Sequence, residues 1–468
     1  MSLKPSNSHC AGAANSSRRG FLKASALVTG AAAMGGPMIL RNVRAASTAA
    51  NNRLKLALVG CGGQGRGVMK GLLSNGAALV ALCDPDREQI ERGRADARQV
   101  VGEAANSAKA YEDYRRLLDD ASTIDAVLIG TPDHWHAPLC KAFMKAGRHI
   151  YCEKPLTHSV AEARELRELA SRTKVVTQMG NQGSASPSAR RCIEVIKAGA
   201  LGQIREIYFW GIGVMANEGR APGEDPIPAG FNWDLWVGPS AMGPFRKNVY
   251  HPASWRSWFD FGNGGLADFC CHAMNMPMRA LDLTYPQKIV LNMENRRQLP
   301  GKAALEFHFA ARGNLVPVTF YWQGNGRPAA EVIQPLLEIY KDRPPDGVFV
   351  VGEKGWIHTS HWNTDGLLRL RGERRLTDIT RHEATKRIPQ SLPRAGDHGA
   401  EFIRACRGEG KTFSPFEIGG QLTEIGLAGV VAIRAGKSLD WDGEKMEATN
   451  APEAAKFVRT QWRSKWIV

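Results

Sequence analysis

Two groups of residues in this chain have the types and the spacing to do chemistry. The first is Gly60, Gly62 and Gly65, which follow the apolar run at residues 54–59. A G-x-G-x-x-G step from a first strand to a first helix gives each glycine a task. Gly60 allows a tight turn, Gly62 lets backbone approach a pyrophosphate, and Gly65 lets helix and strand pack closely, with the helix N-terminus facing the anion. Gly63 and Gln64, within the same turn, join them as expected cofactor contacts. In a chain with 49 glycines that spacing is a weak signal by itself. It gains weight from the apolar run at residues 78–83, which ends in Asp84, nineteen positions after Gly65. A carboxylate there accepts hydrogen bonds from a ribose diol and repels a 2′-phosphate, so the expected cofactor is NAD rather than NADP.

The second group is Asp268 and His272 in the stretch GGLADFCCH at residues 264–272. Four apart on a helix, they share one face a turn from each other, where an imidazole and a carboxylate can reach the same hydroxyl. A lone D-x-x-x-H is more often a surface ion pair, so the chemistry depends on what else is brought beside it. Asp133, His134 and His136 could suggest a metal, but two histidines one residue apart need further ligands that the sequence does not place, and no metal is expected. The Trp-Asp pairs at 233–234 and 441–442 come without a repeat, and no Gly-x-Ser-x-Gly elbow is present. Propellers and serine hydrolases therefore drop out.

The elements that must position these groups follow from the hydrophobic pattern. Residues 52–155 alternate strand and helix, the pattern of a doubly wound parallel sheet. Strands are expected at 54–59, 78–83, 126–129 and 149–152, and helices at 68–74, 87–101, 111–118 and 138–145. Two loops, with Thr131, Pro132 and His136 in one and Glu153 and Lys154 in the other, lie at carboxyl ends of strands, where open α/β sheets bind ligands. Further on, a helix at 160–171, a strand at 175–178, a helix at 188–197 and a strand at 204–210 are expected. Residues 215–258 are irregular and aromatic, and a long loop is usually functional. Aromatic faces beside polar groups suit a sugar ring. Most of these rings are assigned to packing, and the substrate contacts expected here are Trp236, Tyr250, His251, Trp255 and Arg256. Strands within 289–322, a hairpin at 348–358, and helices at 399–406 and 418–435 complete the chain, the last helix without a clean cap.

Residues 17–23 (SRRGFLK), followed by an apolar run to Leu40 and small residues to Ala46, read as a twin-arginine leader. Residues 1–46 are accordingly expected to be removed on export to the periplasm or beyond, leaving no stable membrane span. The chain carries +15; residues 1–45 hold six basic side chains and no acidic one, which leaves +9 spread over the rest. With no basic arm or aromatic-interleaved basic patch, nucleic acid is not an expected partner. The nine cysteines show no C-x-x-C pairing and most sit in apolar segments, so few or no disulfides are expected.

Gly60-x-Gly62-x-x-Gly65, Thr131-Pro132 with His136, the run AGRHIYCEKP at residues 146–155 and the G-x-L-x-D-x-x-x-H stretch ending at His272 together resemble the glucose-fructose oxidoreductase, inositol dehydrogenase and rhizopine-catabolism (Gfo/Idh/MocA) family. The resemblance implies an α/β chain with an N-terminal Rossmann domain, here residues 52–177. It also implies a C-terminal α/β domain with a large open mixed sheet, here 178–468, whose final helices return towards the Rossmann domain. One face of the large sheet would be covered by another subunit, giving a homo-oligomer. It further implies hydride transfer between NAD and a hydroxyl-bearing carbon of a sugar, glycoside or polyol. His272 would be the base, Lys154 would polarise the oxygen, and Asp268 would orient His272 or bind a neighbouring hydroxyl. Asn275 departs from the acidic residue found in many relatives and leaves the polar support of His272 open. Two alternatives stand beside this. Bound, recycled NAD could support glycoside cleavage through a transient keto-sugar, or exchange between two sugars. A non-catalytic NAD sensor would predict loss of one of Lys154, Asp268 and His272, all of which are present.

Overall fold

The computed structural model describes residues 53–213, 216–293, 303–324, 326–341, 343–463 and 466. The expected leader lies outside them. The first strand, β1 (Lys55–Val59), leads through the glycine turn into α1 (Gly63–Ser74), then β2 (Ala78–Cys83), α2 (Arg87–Val101), β3 (Lys109–Tyr111), α3 (Tyr114–Asp119) and β4 (Ala126–Ile129). There follow α4 (His136–Lys145), β5 (His149–Glu153), α5 (Val160–Arg172) and β6 (Thr177–Gly180). The six strands form one all-parallel sheet in the order β3-β2-β1-β4-β5-β6. Its central strands are covered on both faces, which is why they read as unbroken apolar runs rather than alternating ones.

Three expected boundaries move. Tyr111 closes a short strand paired with β2, and the helix begins only after Asp113, whose carboxylate accepts from Arg115 N. The strand expected at 175–178 lies two residues later, because the ladder pairs Ile150 with Thr177 and Glu153 with Gly180. The parallel sheet thus runs beyond the boundary expected at residue 177. α5 opens on a capping box between Ser159 and Glu162.

After α6 (Pro187–Lys197) the chain enters the second sheet: β7 (Ile204–Trp210), then α7 (Trp233–Val237), α8 (Gly264–Ala273), α9 (Asn275–Ala280), β8 (Lys288–Met293), β9 (Ala303–Phe309) and β10 (Val318–Gln323). Next come α10 (Gln334–Tyr340), β11 (Gly347–Gly352), β12 (Gly355–Thr359), β13 (Leu367–Leu370) and β14 (Thr377–Asp378). The chain ends with α11 (His398–Cys406), α12 (Phe416–Ala435), β15 (Leu439–Asp442), β16 (Glu447–Ala448) and α13 (Ala455–Val458). The ten strands run β14-β13-β12-β11-β7-β10-β9-β8-β15-β16, and β7 with β10 is the parallel pair in an otherwise antiparallel sheet. In β10, Val318, Phe320 and Trp322 point into the core while Thr319 and Tyr321 face the other way.

The apolar α12 fills the core between the two sheets. Its glycines make this possible: a Cβ on Gly429 would overlap Phe307 and Leu266, and one on Gly426 would press on Cys270 of α8. α12 is capped by Gly436 in the left-handed region at φ +65°, so the clean C-cap missed in the sequence is present. α12 is tied to α5 by Glu424, whose carboxylate accepts from Arg164 at 2.8 Å and Arg167 at 2.6 Å. Phe402 and Ile403 of α11 enter the core under the parallel sheet. The eight described cysteines are free thiols.

Candidate active site

The turn after β1 is shaped by what a side chain would hit. Gly60 has φ +87°, and a Cβ there would lie 2.6 Å from Gly130 C and Thr131 N, so only glycine fits. A Cβ on Gly65 would overlap the Gly60 carbonyl. A Cβ on Gly62 would meet nothing within 4 Å. Gly62 is also the N-cap of α1 and offers no side chain to its amides, so the helix start faces open space. That is the cradle a pyrophosphate needs. Beside it opens a cleft lined by Gly60, Gly62, Asp84, Thr131, Pro132, Trp236, His251 and Trp255, among others.

Asp84 stands at the tip of β2 with Oδ2 accepting from Cys61 N at 2.7 Å and Oδ1 from Asp86 N at 2.9 Å. Burial pushes its carboxyl up to about 6, against the pull of those two amides and of His251. The donor set fits NAD: glycine amides for phosphate and a buried carboxylate for a diol.

The aromatic loop closes over this end of the cleft. Asn232 N donates to Pro85 O at 2.8 Å, Arg87 N donates to Gly230 O at 3.1 Å, and the His251 ring contacts Asp86 Oδ2 at 2.8 Å. Trp236, His251 and Trp255 therefore reach the cleft near the expected dinucleotide. Tyr250 does not: it is fully buried, its hydroxyl accepts from Ala221 N, and its ring packs on Phe261 and Trp258. His136, expected at the cofactor, is also turned away. Its two ring nitrogens contact Pro155 O at 2.7 Å and Thr131 O at 3.0 Å, so it braces the two binding loops against each other. His134 likewise contacts two backbone carbonyls, of Phe261 and Trp236. Among the described residues no group of three His, Cys, Asp or Glu could hold a metal.

The second group assembles where β5 ends. Lys154 Nζ donates to Asp268 Oδ1 at 2.6 Å, with side chains 9% and 18% exposed. Arg256 lies 4.0 Å from the same oxygen and stacks on Trp255. His272 is 1% exposed, and among the described residues neither ring nitrogen has a hydrogen-bond partner. Burial, then the Lys154 charge, hold it well below its ordinary value, so it is a neutral imidazole. Asp268 thus pairs with Lys154 instead of orienting His272. Asn275 gives no polar support to the imidazole, and its own Oδ1 is without a partner among the described residues.

Asp133, Phe269 and Trp362 were not found by sequence reasoning, and Glu153, expected at the cofactor, was found without its raised carboxyl. Asp133, set aside with the metal reading, is pushed up to about 8 by burial and then by the Asp268 charge, against Arg256 and Lys154; Asn263 donates to it at 3.3 Å. Glu153 is pushed up to about 7 by burial, against Lys154, Gln64 and Gln182, and Gln182 Nε2 donates to it at 2.8 Å. Phe269 lies 5.6 Å from the Lys154 ammonium, and Trp362 lies on His272 with ring centroids 4.3 Å apart. Trp362 comes from a loop far along the chain with no motif of its own.

Residues 54–181 match the family model described as oxidoreductase family, NAD-binding Rossmann fold, of the Gfo/Idh/MocA group. Residues 209–300 match its C-terminal alpha/beta domain. Among curated proteins, the chain is 31% identical over 174 residues to the rhizopine catabolism protein MocA of Rhizobium meliloti, covering 36% of this chain and 51% of that one. It is 28% identical over 203 residues to a glycosyl hydrolase family 109 protein of Shewanella amazonensis, covering 40% and 44%. The chain spans about half the length of the curated relatives it matches. Among solved structures, a levoglucosan dehydrogenase in complex with NADH and levoglucosan superimposes with a TM-score of 0.56 at 17% identity, over 83% of this chain and 99% of that one. The last comparison speaks to the fold.

Proposed function

We propose, on the premise that this chain belongs to the Gfo/Idh/MocA oxidoreductase family, that it oxidises or reduces a hydroxyl-bearing carbon of a sugar, glycoside or polyol with NAD as cofactor. The observation that carries the reading is the Lys154–Asp268 ion pair beside a buried imidazole that has no hydrogen-bond partner among the described residues, on the carboxyl side of the parallel sheet. When bound, NAD supplies the hydride acceptor or donor at its nicotinamide carbon. Gly60, Gly62, Gly65 and Asp84 would hold it. His272, neutral and with no hydrogen bond to its ring nitrogens among the described residues, takes the hydroxyl proton as the C–H bond is given up, and returns it in the reverse direction. Lys154 donates to the same oxygen and stabilises its developing negative charge. Asp268 acts through Lys154, holding the ammonium in place. NADH formation by the purified protein with a panel of ring and open-chain polyols tests the reading; no turnover of any alcohol by protein that binds NAD would refute it.

A second reading is favoured by the loop closed over the cleft through Asp86, Gly230, Asn232 and His251. A dinucleotide held beneath it would exchange slowly and suit a redox cycle that returns NAD unchanged, such as glycoside cleavage through a keto-sugar. Mass spectrometry of the denatured, purified protein separates the two: stoichiometric NAD with turnover of a glycoside and no added cofactor supports this second reading. The twin-arginine stretch at residues 17–23 supports export of the folded, loaded protein, which N-terminal sequencing of the periplasmic fraction would test. The sheet face bearing Tyr208, Tyr321 and Trp356 is the surface a second copy would cover, and sedimentation reads the subunit number.

A further inference from the structure

Trp362 is 41% exposed, an unusual place for an indole, and it lies against the one imidazole that the proposed reaction needs. It belongs to the link at residues 360–366 between β12 and β13, and the backbone of that link is firmly held. Asn363, with φ +56°, donates through Nδ2 to the His272 and Ala273 carbonyls at the end of α8. Ser186 Oγ donates to Thr364 O at 2.7 Å, and Ser360 N donates to Asp365 Oδ1 at 2.8 Å. A Cβ on Gly183 would overlap the Trp362 carbonyl. The backbone is thus fixed to the site while the indole is left partly in water.

His272 is covered by two aromatic rings. Phe269 sits on the same helix, its centroid 6.1 Å away, beside the Lys154 ammonium. Trp362 comes closer, at 4.3 Å and 53°. A base can take a proton only from a hydroxyl that reaches it, and neither His272 nitrogen is exposed. Of the two covers, the indole is the exposed one, and it also meets the Phe269 ring at 5.6 Å. We propose that Trp362 is a ring subsite: a cyclic substrate displaces the indole from His272 and stacks its apolar C–H face on it, while a ring hydroxyl reaches His272 and Lys154. The site would then take cyclic sugars or cyclitols in preference to open-chain polyols, because an open chain offers no flat C–H face. This rests on the reading of His272 as the proton acceptor.

The test is saturation-transfer NMR on the NAD-loaded protein, with methyl β-D-glucopyranoside and myo-inositol as ring probes and D-glucitol as the open-chain probe. Ring probes are expected to bind wild type with transfer to their C–H protons, to weaken about tenfold in Trp362→Ala, and to keep most of their affinity in Trp362→Phe. D-Glucitol is expected to bind both equally weakly. Ring probes that bind Trp362→Ala as tightly as wild type, or D-glucitol that loses as much as the rings, would overturn the subsite. NADH absorbance with the same probes reads the oxidoreductase function separately. Trp362-dependent ring binding without NADH formation would keep the subsite and remove the redox reading. NADH formation unaffected by Trp362→Ala would do the reverse.

Discussion

Gly62→Ala separates binding from folding at the proposed cofactor cradle. Gly62 sits at φ −66° and ψ 175°, extended backbone open to any L-residue, and a Cβ there meets nothing within 4 Å. Alanine gains about 0.4–1 kcal/mol from a less free unfolded chain and loses a similar amount as a poorer N-cap. Stability should therefore change by less than about 0.5 kcal/mol. The methyl nevertheless fills the space through which the turn would approach a pyrophosphate. Lengthening one charge-assisted hydrogen bond there costs about 2–3 kcal/mol, or about 30- to 140-fold in Kd. Gly65→Ala is the contrast, since its Cβ overlaps the Gly60 carbonyl and lies 3.3 Å from Leu58 Cδ1. It should lose about 2 kcal/mol or more of stability as well as NAD binding. Urea unfolding gives the first quantity and quenching of NADH fluorescence the second. Wild-type affinity in Gly62→Ala, or a loss of stability equal to that of Gly65→Ala, would refute the reasoning.

Lys154→Met removes the ammonium at nearly constant length and should lower kcat by about 100- to 1000-fold, with NADH affinity changed only a few-fold; more than a tenth of wild-type kcat in a steady-state assay would count against its role. Glu424→Gln leaves Arg164 and Arg167 without their shared carboxylate between α5 and α12, and should cost about 3 kcal/mol read as a lower urea midpoint. Acid should destabilise the fold well before ordinary carboxylates titrate. His134, His136, His158, His358 and His398 are held at about 3 to 4, and His272 is also depressed, mainly by burial. Near pH 5.5 the unfolded chain would take up about five protons on these six rings that the fold does not. Asp84, Asp133 and Glu153, raised to about 6, 8 and 7, act with the opposite sign because the fold binds their protons first. The balance is about three protons, or about 4 kcal/mol lost per pH unit as pH falls through that region; a urea midpoint that stays level or rises between about pH 7.5 and pH 5.5 would contradict it.

Local physics determined much of this protein before any tertiary contact was known. The glycine turn, Asp84 and the alternating pattern specify the parallel sheet, since tight turns, buried strands and strand-end carboxylates are set by residues near each other in sequence. α8 was legible for the same reason: Asp268 and His272 fall a turn apart on any helix. What the spacing could not say is which group each would meet. Asp268 faces Lys154, 114 residues away, and not His272, because α8 packs so that its carboxylate reaches the end of β5. Tyr250 and His136 looked like ligand contacts by type, and packing used both for bracing, since a ring wholly enclosed by Phe261, Trp258 or two carbonyls has no face left for a substrate. Trp362 carries no local signal, and Asp133 and Glu153, legible as strand-end residues, carry none for how strongly their carboxyls are raised. Burial raised the two carboxyls, and only the register of β12 and β13 on the large sheet brought a loop indole onto His272.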